Sequence, residues 1–90
     1  MLLKDLYCIA VDYHVWSEAE QKEYDEPNLL HVEQETGFGL LEFKSVVESD
    51  LRVFQSREDA NKFIMDHNMD DAICFSRPRV ISLSEALRMG

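Results

Sequence analysis

Apolar and polar residues alternate along residues 6–16, and this period of two predicts a β-strand. Every odd position of the segment is apolar or aromatic. The even positions change from apolar, at Cys8 and Ala10, to polar, at Asp12 and His14. A segment that is apolar on both faces at its start and on one face at its end is typical of a central strand that emerges toward solvent.

The same kind of pattern predicts shorter strands further along the chain. Alternation or short apolar runs predict strands at 29–35, 51–54 and 72–75. Residues 40–47 fit both a strand and a helical stripe, and their adjacent valines favour the strand. Pro78 follows the last of these segments, where it is expected to bend the strand or to restrict it to a sheet edge.

The clearest predicted helix covers residues 56–67. It starts at Ser56, a residue that caps helices well, and apolar residues then recur at helical spacing along one face. That face carries Phe63 and Ile64, which are expected to be buried against the sheet. His67 closes the same stripe and is expected to be a half-buried packing residue.

A second, short helix is predicted at the C-terminal end. Ser82 and Glu85 have the spacing of a capping box, with Leu83, Ala86 and Leu87 expected to pack inward. A chain of 90 residues is long enough for one core only. The predicted fold is therefore a single α+β domain over residues 1–90, with an antiparallel sheet of four or five strands, the main helix at about 56–67 on one face, and the short C-terminal helix.

The acidic stretch at 17–27 is predicted to be a frayed helical turn or a mobile loop. Ser17 is a suitable helix cap, but Ala19 and Tyr24 are too few apolar residues for a buried stripe. Pro27 is expected to end the segment.

Charge is the strongest signal in the sequence. The chain has 18 acidic and 9 basic residues, a net charge of −9, and the surplus of acids lies entirely within the first fifty residues. It is densest at 18–35, with seven acids and one lysine. Such a field repels nucleic acids and anionic membranes, and it attracts basic protein surfaces. The alternative is an acidic face that only keeps the protein soluble.

Several classes of protein are not expected from this sequence. Its wholly apolar runs are far shorter than the roughly 20 residues that a membrane-spanning helix needs. The N-terminal residues lack the pattern of a secretory signal, so we expect a cytoplasmic protein, in a bacterial host if the chain is encoded by a phage. Cys8 and Cys74 each lie in an apolar strand and are expected to be reduced, buried and inert.

Catalytic and metal-binding motifs are also lacking. The three glycines form no phosphate-binding loop and no serine lies in a nucleophile motif, so neither an enzyme nor a cofactor is expected. Asp12, His14, His31 and Glu33 could meet as metal ligands if their strands are neighbours. Polar residues on the solvated face of a sheet give the same pattern, so a metal site is a minority hypothesis.

The leading hypothesis is a non-enzymatic protein-binding module that presents its acidic segment to a basic protein surface. By analogy of size and charge with phage inhibitors, antitoxins and DNA mimics, the partner would be a nucleic-acid-binding protein. No motif identifies a family. The alternative is a structural or assembly subunit, such as a homodimer, whose acidity serves solubility. The predicted partner-binding residues are Trp16, Glu18, Glu20, Glu23, Tyr24, Asp25, Glu26, Glu33 and Glu35.

Overall fold

The computed structural model describes residues 6–34, 40–71 and 75–89, with the backbone alone at 32–34, 40–41 and 89. Its elements in chain order are β1 (Tyr7–Ser17), β2 (Lys22–Gln34), β3 (Leu40–Lys44), α1 (Arg57–Asp66), a 3₁₀ turn (Met69–Asp71), β4 (Phe75–Ser82) and α2 (Leu83–Met89). The four strands form one antiparallel sheet in the order β3-β2-β1-β4. The predicted α+β fold, with one main helix and a short C-terminal helix, is therefore confirmed.

The acidic stretch forms a β-hairpin instead of a helical turn or a loop. β2 begins at Lys22 and pairs with β1 without a break as far as Leu29. Only residues 18–21 are needed to reverse the chain. The prediction for 17–27, including its end at Pro27, is wrong because each residue at 22–27 gains a cross-strand partner on β1, which the local sequence does not reveal.

The pleat divides the sheet into two faces, which we name the α1 face and the α2 face after the helix that covers each. Residues 8–12 of β1 are buried, and they include side chains on both faces, as the apolar start of the strand predicts. The buried core of the α1 face consists of Ile9, Val11, Leu30, Phe54, Ala60, Ile64, Met69 and Phe75. That of the α2 face consists of Cys8, Ala10, Leu29, Leu83 and Ala86.

The shorter predicted strands are present with different limits. The strand predicted at 29–35 is the end of β2, and the one at 40–47 is confirmed for its first five residues, since β3 ends at Lys44. The segment at 51–54 is reduced to a single bridge between Phe54 and Tyr7. The outcome of the strand predicted at 72–75 is open, since 72–74 lie outside the described residues.

Residues 52–54 fill a gap between β1 and β2. Phe54 and Tyr7 exchange two backbone hydrogen bonds of 2.8 and 2.9 Å, and the amide of Arg52 donates to the carbonyl of Leu30 at 3.2 Å. The sheet also curls over its α1 face. Phe43 and Phe75 belong to the two edge strands, and yet the centroids of their rings are only 4.7 Å apart. We name residues 52–54 the wedge, since they supply backbone partners where β1 and β2 separate.

The main helix, α1, has the predicted cap and the predicted face. The hydroxyl of Ser56 accepts a hydrogen bond from the amide of Asp59 at 3.1 Å. Ile64 is buried as predicted, whereas Phe63 is half-buried at the rim of the core. The half-buried ring of His67 stacks on that of Phe63, with 3.9 Å between centroids, which confirms its packing role.

Pro78 lies in β4, which is an edge strand of the sheet, as expected for a proline. A proline lacks the amide that a central strand needs, and an edge strand can do without it. Arg77 and Pro78 together oppose Val11 of β1, which makes a β-bulge, and Arg77 has a positive φ of 52°. The Arg77 side chain at this bulge donates a hydrogen bond to Asp12 of β1.

The last helix, α2, is capped as predicted. The amide of Glu85 donates to the hydroxyl of Ser82 at 3.2 Å, and Leu83 and Ala86 are buried against the sheet. Leu87 is exposed, so its predicted inward packing is wrong. A seven-residue helix has room for one narrow buried stripe, and Leu87 lies about 100° around the helix from Ala86.

The burial of Cys8 leads to a first prediction. Its side chain is fully buried, and burial raises the pKa of the thiol to about 11, so very little thiolate forms near neutral pH. In the native protein we expect Cys8 to be labelled by iodoacetamide at least about 100-fold more slowly than in urea, followed by peptide mass spectrometry. Labelling at similar rates in both would mean that β1 is not a central strand.

Candidate functional site

The β1–β2 hairpin extends beyond the other strands. β4 pairs with β1 up to Tyr13, and β3 pairs with β2 from Leu29 onward. Among the described residues, β2 is therefore the only strand that pairs with 14–17, and β1 is the only strand that pairs with 22–28. We name residues 14–27 the acidic hairpin. Its projection agrees with the elongated shape of the protein, which measures 45 × 31 × 21 Å.

The acidic hairpin concentrates negative charge. It holds five acids and one lysine, a net charge of −4 when its histidine is neutral. Lys22 pairs only loosely with Glu20, at 3.5 Å, and both side chains are exposed, so this ion pair contributes little to stability. The acids are Glu18, Glu20, Glu23, Asp25 and Glu26.

Two exposed aromatic residues lie on opposite faces of the acidic hairpin. Trp16 pairs with Glu23 on the α2 face, and Tyr24 pairs with Val15 on the α1 face. Trp16 is 58% exposed and Tyr24 is 44% exposed. The predicted site grouped them as neighbours, but the pleat separates them, so a flat partner surface contacts one of them and not the other.

One of the predicted binding residues, Glu33, is not brought to the acidic hairpin. Glu33 pairs with Leu41 at the other end of β2, ten residues from Glu23 and about 30 Å away along the strand. Glu35 lies outside the described residues. The other seven predicted binding residues all lie on the acidic hairpin.

His14 joins the two strands of the acidic hairpin. Its Nδ1 donates to Oδ1 of Asp25 at 2.7 Å and lies 3.8 Å from Oε1 of Glu23. All three side chains are on the α2 face, beside Trp16. The hydrogen bond holds the carboxylate of Asp25 against His14, and the carboxylate of Glu23 lies close to the same ring.

An ion-pair cluster around the carboxylate of Asp12 holds the base of the acidic hairpin, and sequence reasoning missed it. Oδ2 of Asp12 accepts from Nε of Arg77 at 2.5 Å, and Oδ1 accepts from Arg79 at 3.3 Å. Asp12 is buried, so the two guanidinium groups compensate a charge that would otherwise be costly. The partners are 65 and 67 residues apart in sequence, and no local signal connects them.

A second cluster, around Lys44, lies where β3 ends. Its Nζ contacts Glu48 and Asp50 at 2.9 Å and Glu42 at 3.4 Å. Hydrogen bonds to Glu48 and Asp50 raise the pKa of Lys44, and the bond from Lys44 lowers that of Asp50. Because Lys44 lies on β3, its contacts with Glu48 and Asp50 hold residues 48–50 against the sheet.

His31 is fully buried beside this second cluster. Its Nδ1 donates to the carbonyl of Leu29 at 2.9 Å, and its Nε2 lies 3.8 Å from Oδ1 of Asp50. His31 is six residues, or about 20 Å of strand, from the Asp25 that contacts His14. The geometry therefore does not bring the four residues of the metal hypothesis together.

Other kinds of site receive little support from the described part of the chain. Within it, no group of three or more His, Cys, Asp and Glu side chains is arranged to hold a metal ion. Two open depressions of about 320 and 370 Å³ flank α1, and their walls include neither histidine nor cysteine. No helix of residues 6–34, 40–71 and 75–89 is both long and apolar enough to cross a bilayer.

Comparison with known protein families, with curated proteins and with solved structures found no match for this chain. The acidic hairpin offers a projecting, negatively charged ribbon with a large aromatic side chain on each face.

Proposed function

We propose that this protein is a non-enzymatic binding module whose acidic hairpin occupies a basic surface of a partner protein. The observation that supports this most directly is the coincidence of projection, charge and aromatic exposure in one element. Five acids and Trp16 lie on a ribbon that extends beyond the other strands. A projecting ribbon can enter a groove, and concentrated charge accelerates the encounter with a surface of opposite charge.

The partner we propose is a protein that otherwise binds nucleic acid. Such proteins carry dense lysine and arginine surfaces for phosphate contacts, and a net charge of −4 on one hairpin suits such a surface. The protein would then act as an inhibitor that competes with DNA or RNA. It would not bind nucleic acid itself, since its total charge of −9 repels phosphate.

A capture experiment with matched variants tests this proposal. The hairpin reversal replaces Glu20, Glu23 and Glu26 by Lys. The control reversal makes the same change of charge at three exposed acids elsewhere, Glu58, Asp70 and Glu85. Each immobilised protein is exposed to a nuclease-treated bacterial lysate at low and high salt.

We expect the wild type and the control reversal to retain the same proteins at low salt, and the hairpin reversal to lose them. High salt and added duplex DNA should both release what is retained. If the hairpin reversal retains the same proteins as the wild type, the acidic hairpin is a solvated surface. If DNA does not compete, the partner is not held through its nucleic-acid site.

The exposed indole leads to a separate prediction about binding kinetics. Trp16→Ala should raise the dissociation rate of the captured complex on the order of 30-fold, because a buried tryptophan anchor contributes about 2 kcal/mol or more. Tyr24→Ala, on the opposite face, should change it less than about threefold if the α2 face is the one covered. Surface plasmon resonance measures both rates. The reverse order would assign the interface to the α1 face.

A further inference from the structure

The direction of the backbone groups on β1 follows from three hydrogen bonds. Tyr7 exchanges two of them with Phe54, on the side of β2, whereas the carbonyl of Leu6 accepts from Leu83, on the side of β4. Backbone groups alternate in direction along a strand. The amide and carbonyl groups of the odd-numbered residues of β1 therefore point toward β2, and those of the even-numbered residues point away from it.

The register of the hairpin extends this rule to β2. The even-numbered residues Asp12, His14 and Trp16 pair with Pro27, Asp25 and Glu23, in that order. These are non-hydrogen-bonded pairs, in which each residue directs its amide and carbonyl groups away from the other strand of the pair. Glu23 and Asp25 thus point their backbone groups outward, and Pro27 occupies an outward position, where its missing amide costs no pairing.

The outer edge of β2 is open along the acidic hairpin. β3 pairs with β2 only from Leu29 onward, and beyond Lys44 the chain bends at residues 45 and 46. In the described part of the chain, no strand pairs with this edge at 22–27. The amides and carbonyls of Glu23 and Asp25 are therefore available to an added strand.

Side-chain charge indicates which strand this edge accepts. Glu23 and Asp25 lie on the α2 face, and Glu26 lies on the α1 face. A second copy of the chain would bring like charges opposite each other, which is destabilising, and acidic edges are a known protection against self-pairing. An extended segment rich in lysine or arginine would instead place opposite charges on both faces.

We propose that the open edge of β2 at 22–27 binds an extended, basic segment of the partner as an additional strand. The inference rests on the proposed function and specifies how the partner is held. Backbone hydrogen bonds supply the affinity, and the acids on both faces select basic side chains. The α2 face, with Trp16, remains free to contact the body of the partner.

Hydrogen exchange measured by NMR tests this edge directly. The probe is a seven-residue peptide in which pairs of lysine alternate with pairs of valine, capped at both ends, so that an added strand carries lysine on both faces. At a concentration ten times its Kd, we expect the amides of Glu23 and Asp25 to exchange about tenfold more slowly. The amides of Tyr24 and Glu26 point toward β1, so their exchange should change little and serves as an internal control.

Two matched comparisons separate strand addition from simple charge attraction. Two control peptides have the same charge and are N-methylated at alternate residues, each along a different edge of the strand. The peptide methylated on the edge that faces β2 should bind about tenfold more weakly, because it cannot donate the backbone hydrogen bonds to β2. Glu23→Pro and Glu23→Gln remove the same charge, and only the proline removes an outward amide. We expect the proline variant to bind about tenfold more weakly than the glutamine variant.

The outcomes distinguish this inference from the function on which it rests. Salt-dependent binding of all three peptides with equal affinity, without slower exchange at Glu23 and Asp25, would overturn strand addition and leave the charged interface standing. No binding of any of the three peptides, together with the expected capture of a basic partner, would also overturn strand addition alone. Slower exchange in the protein by itself as its concentration rises would point to a second copy as the occupant.

Discussion

Replacing Ile64 by alanine should lower the free energy of unfolding by about 3 kcal/mol, the largest effect on stability that we expect from a single substitution in α1. Ile64 is buried in the core of the α1 face, where α1 meets β1 and the wedge residue Phe54. Truncation removes apolar contacts and leaves a cavity between α1 and the sheet. Because α1 is the one α-helix that the described residues place on this face, few neighbouring side chains can move in to fill that cavity. The loss is a large part of the stability of a domain of this size.

Thermal and urea unfolding followed by circular dichroism measure this effect. A loss of about 3 kcal/mol should lower Tm by at least about 12 °C. Met65→Ala is the matched control, since Met65 is the next residue of the same helix and is 73% exposed. It should change stability by less than about 0.5 kcal/mol. Equal Tm values for the two variants would show that α1 does not pack on the sheet through Ile64.

Reversing Glu20, Glu23 and Glu26 to Lys should slow association with the captured partner by at least about tenfold at low salt, with little effect on folding. The net charge of the chain changes from −9 to −3, and the whole change falls on the acidic hairpin. Charge steering accelerates association over one to three orders of magnitude, and screening by salt reduces it. The reversed variant should therefore also lose most of its salt dependence.

Stopped-flow or surface plasmon resonance at two salt concentrations measures these rates. The control reversal of Glu58, Asp70 and Glu85 gives the same total charge of −3. It should associate at a rate close to that of the wild type if local charge matters more than total charge. Similar slowing in both variants would mean that total charge governs the encounter. A wild-type rate in the hairpin reversal, with unchanged circular dichroism, would contradict the proposed interface.

Local sequence signals predicted those elements whose physical determinants are themselves local. The apolar residues at the start of the segment 6–16 predict β1 as a central strand, because burial on both faces requires apolar residues at successive positions. Ser56 and the apolar stripe after it predict α1 because a cap and a helical period are both short-range properties. The edge position of Pro78 agrees with its missing amide, because an edge strand has a side on which no neighbouring strand needs that amide.

The candidate site was predicted in composition but not in shape. The surplus of acids and the aromatics Trp16 and Tyr24 are visible in the sequence. The pleat that separates the two aromatics, and the distance of Glu33 from the acidic hairpin, depend on the register of β1 against β2. No local pattern sets that register, because residues 22–27 have little strand preference of their own.

By itself, the sequence determined the α+β class, the central strand, the main helix and the concentration of negative charge in the first half of the chain. Each of these follows from periodicity, capping or composition over a short stretch. Only the tertiary structure decided that the acidic stretch is a projecting hairpin, that Asp12 is held by Arg77 and Arg79, and that no strand among the described residues pairs with the outer edge of β2 at 22–27. These features depend on contacts between residues far apart in sequence, whose energies appear only once the strands are paired.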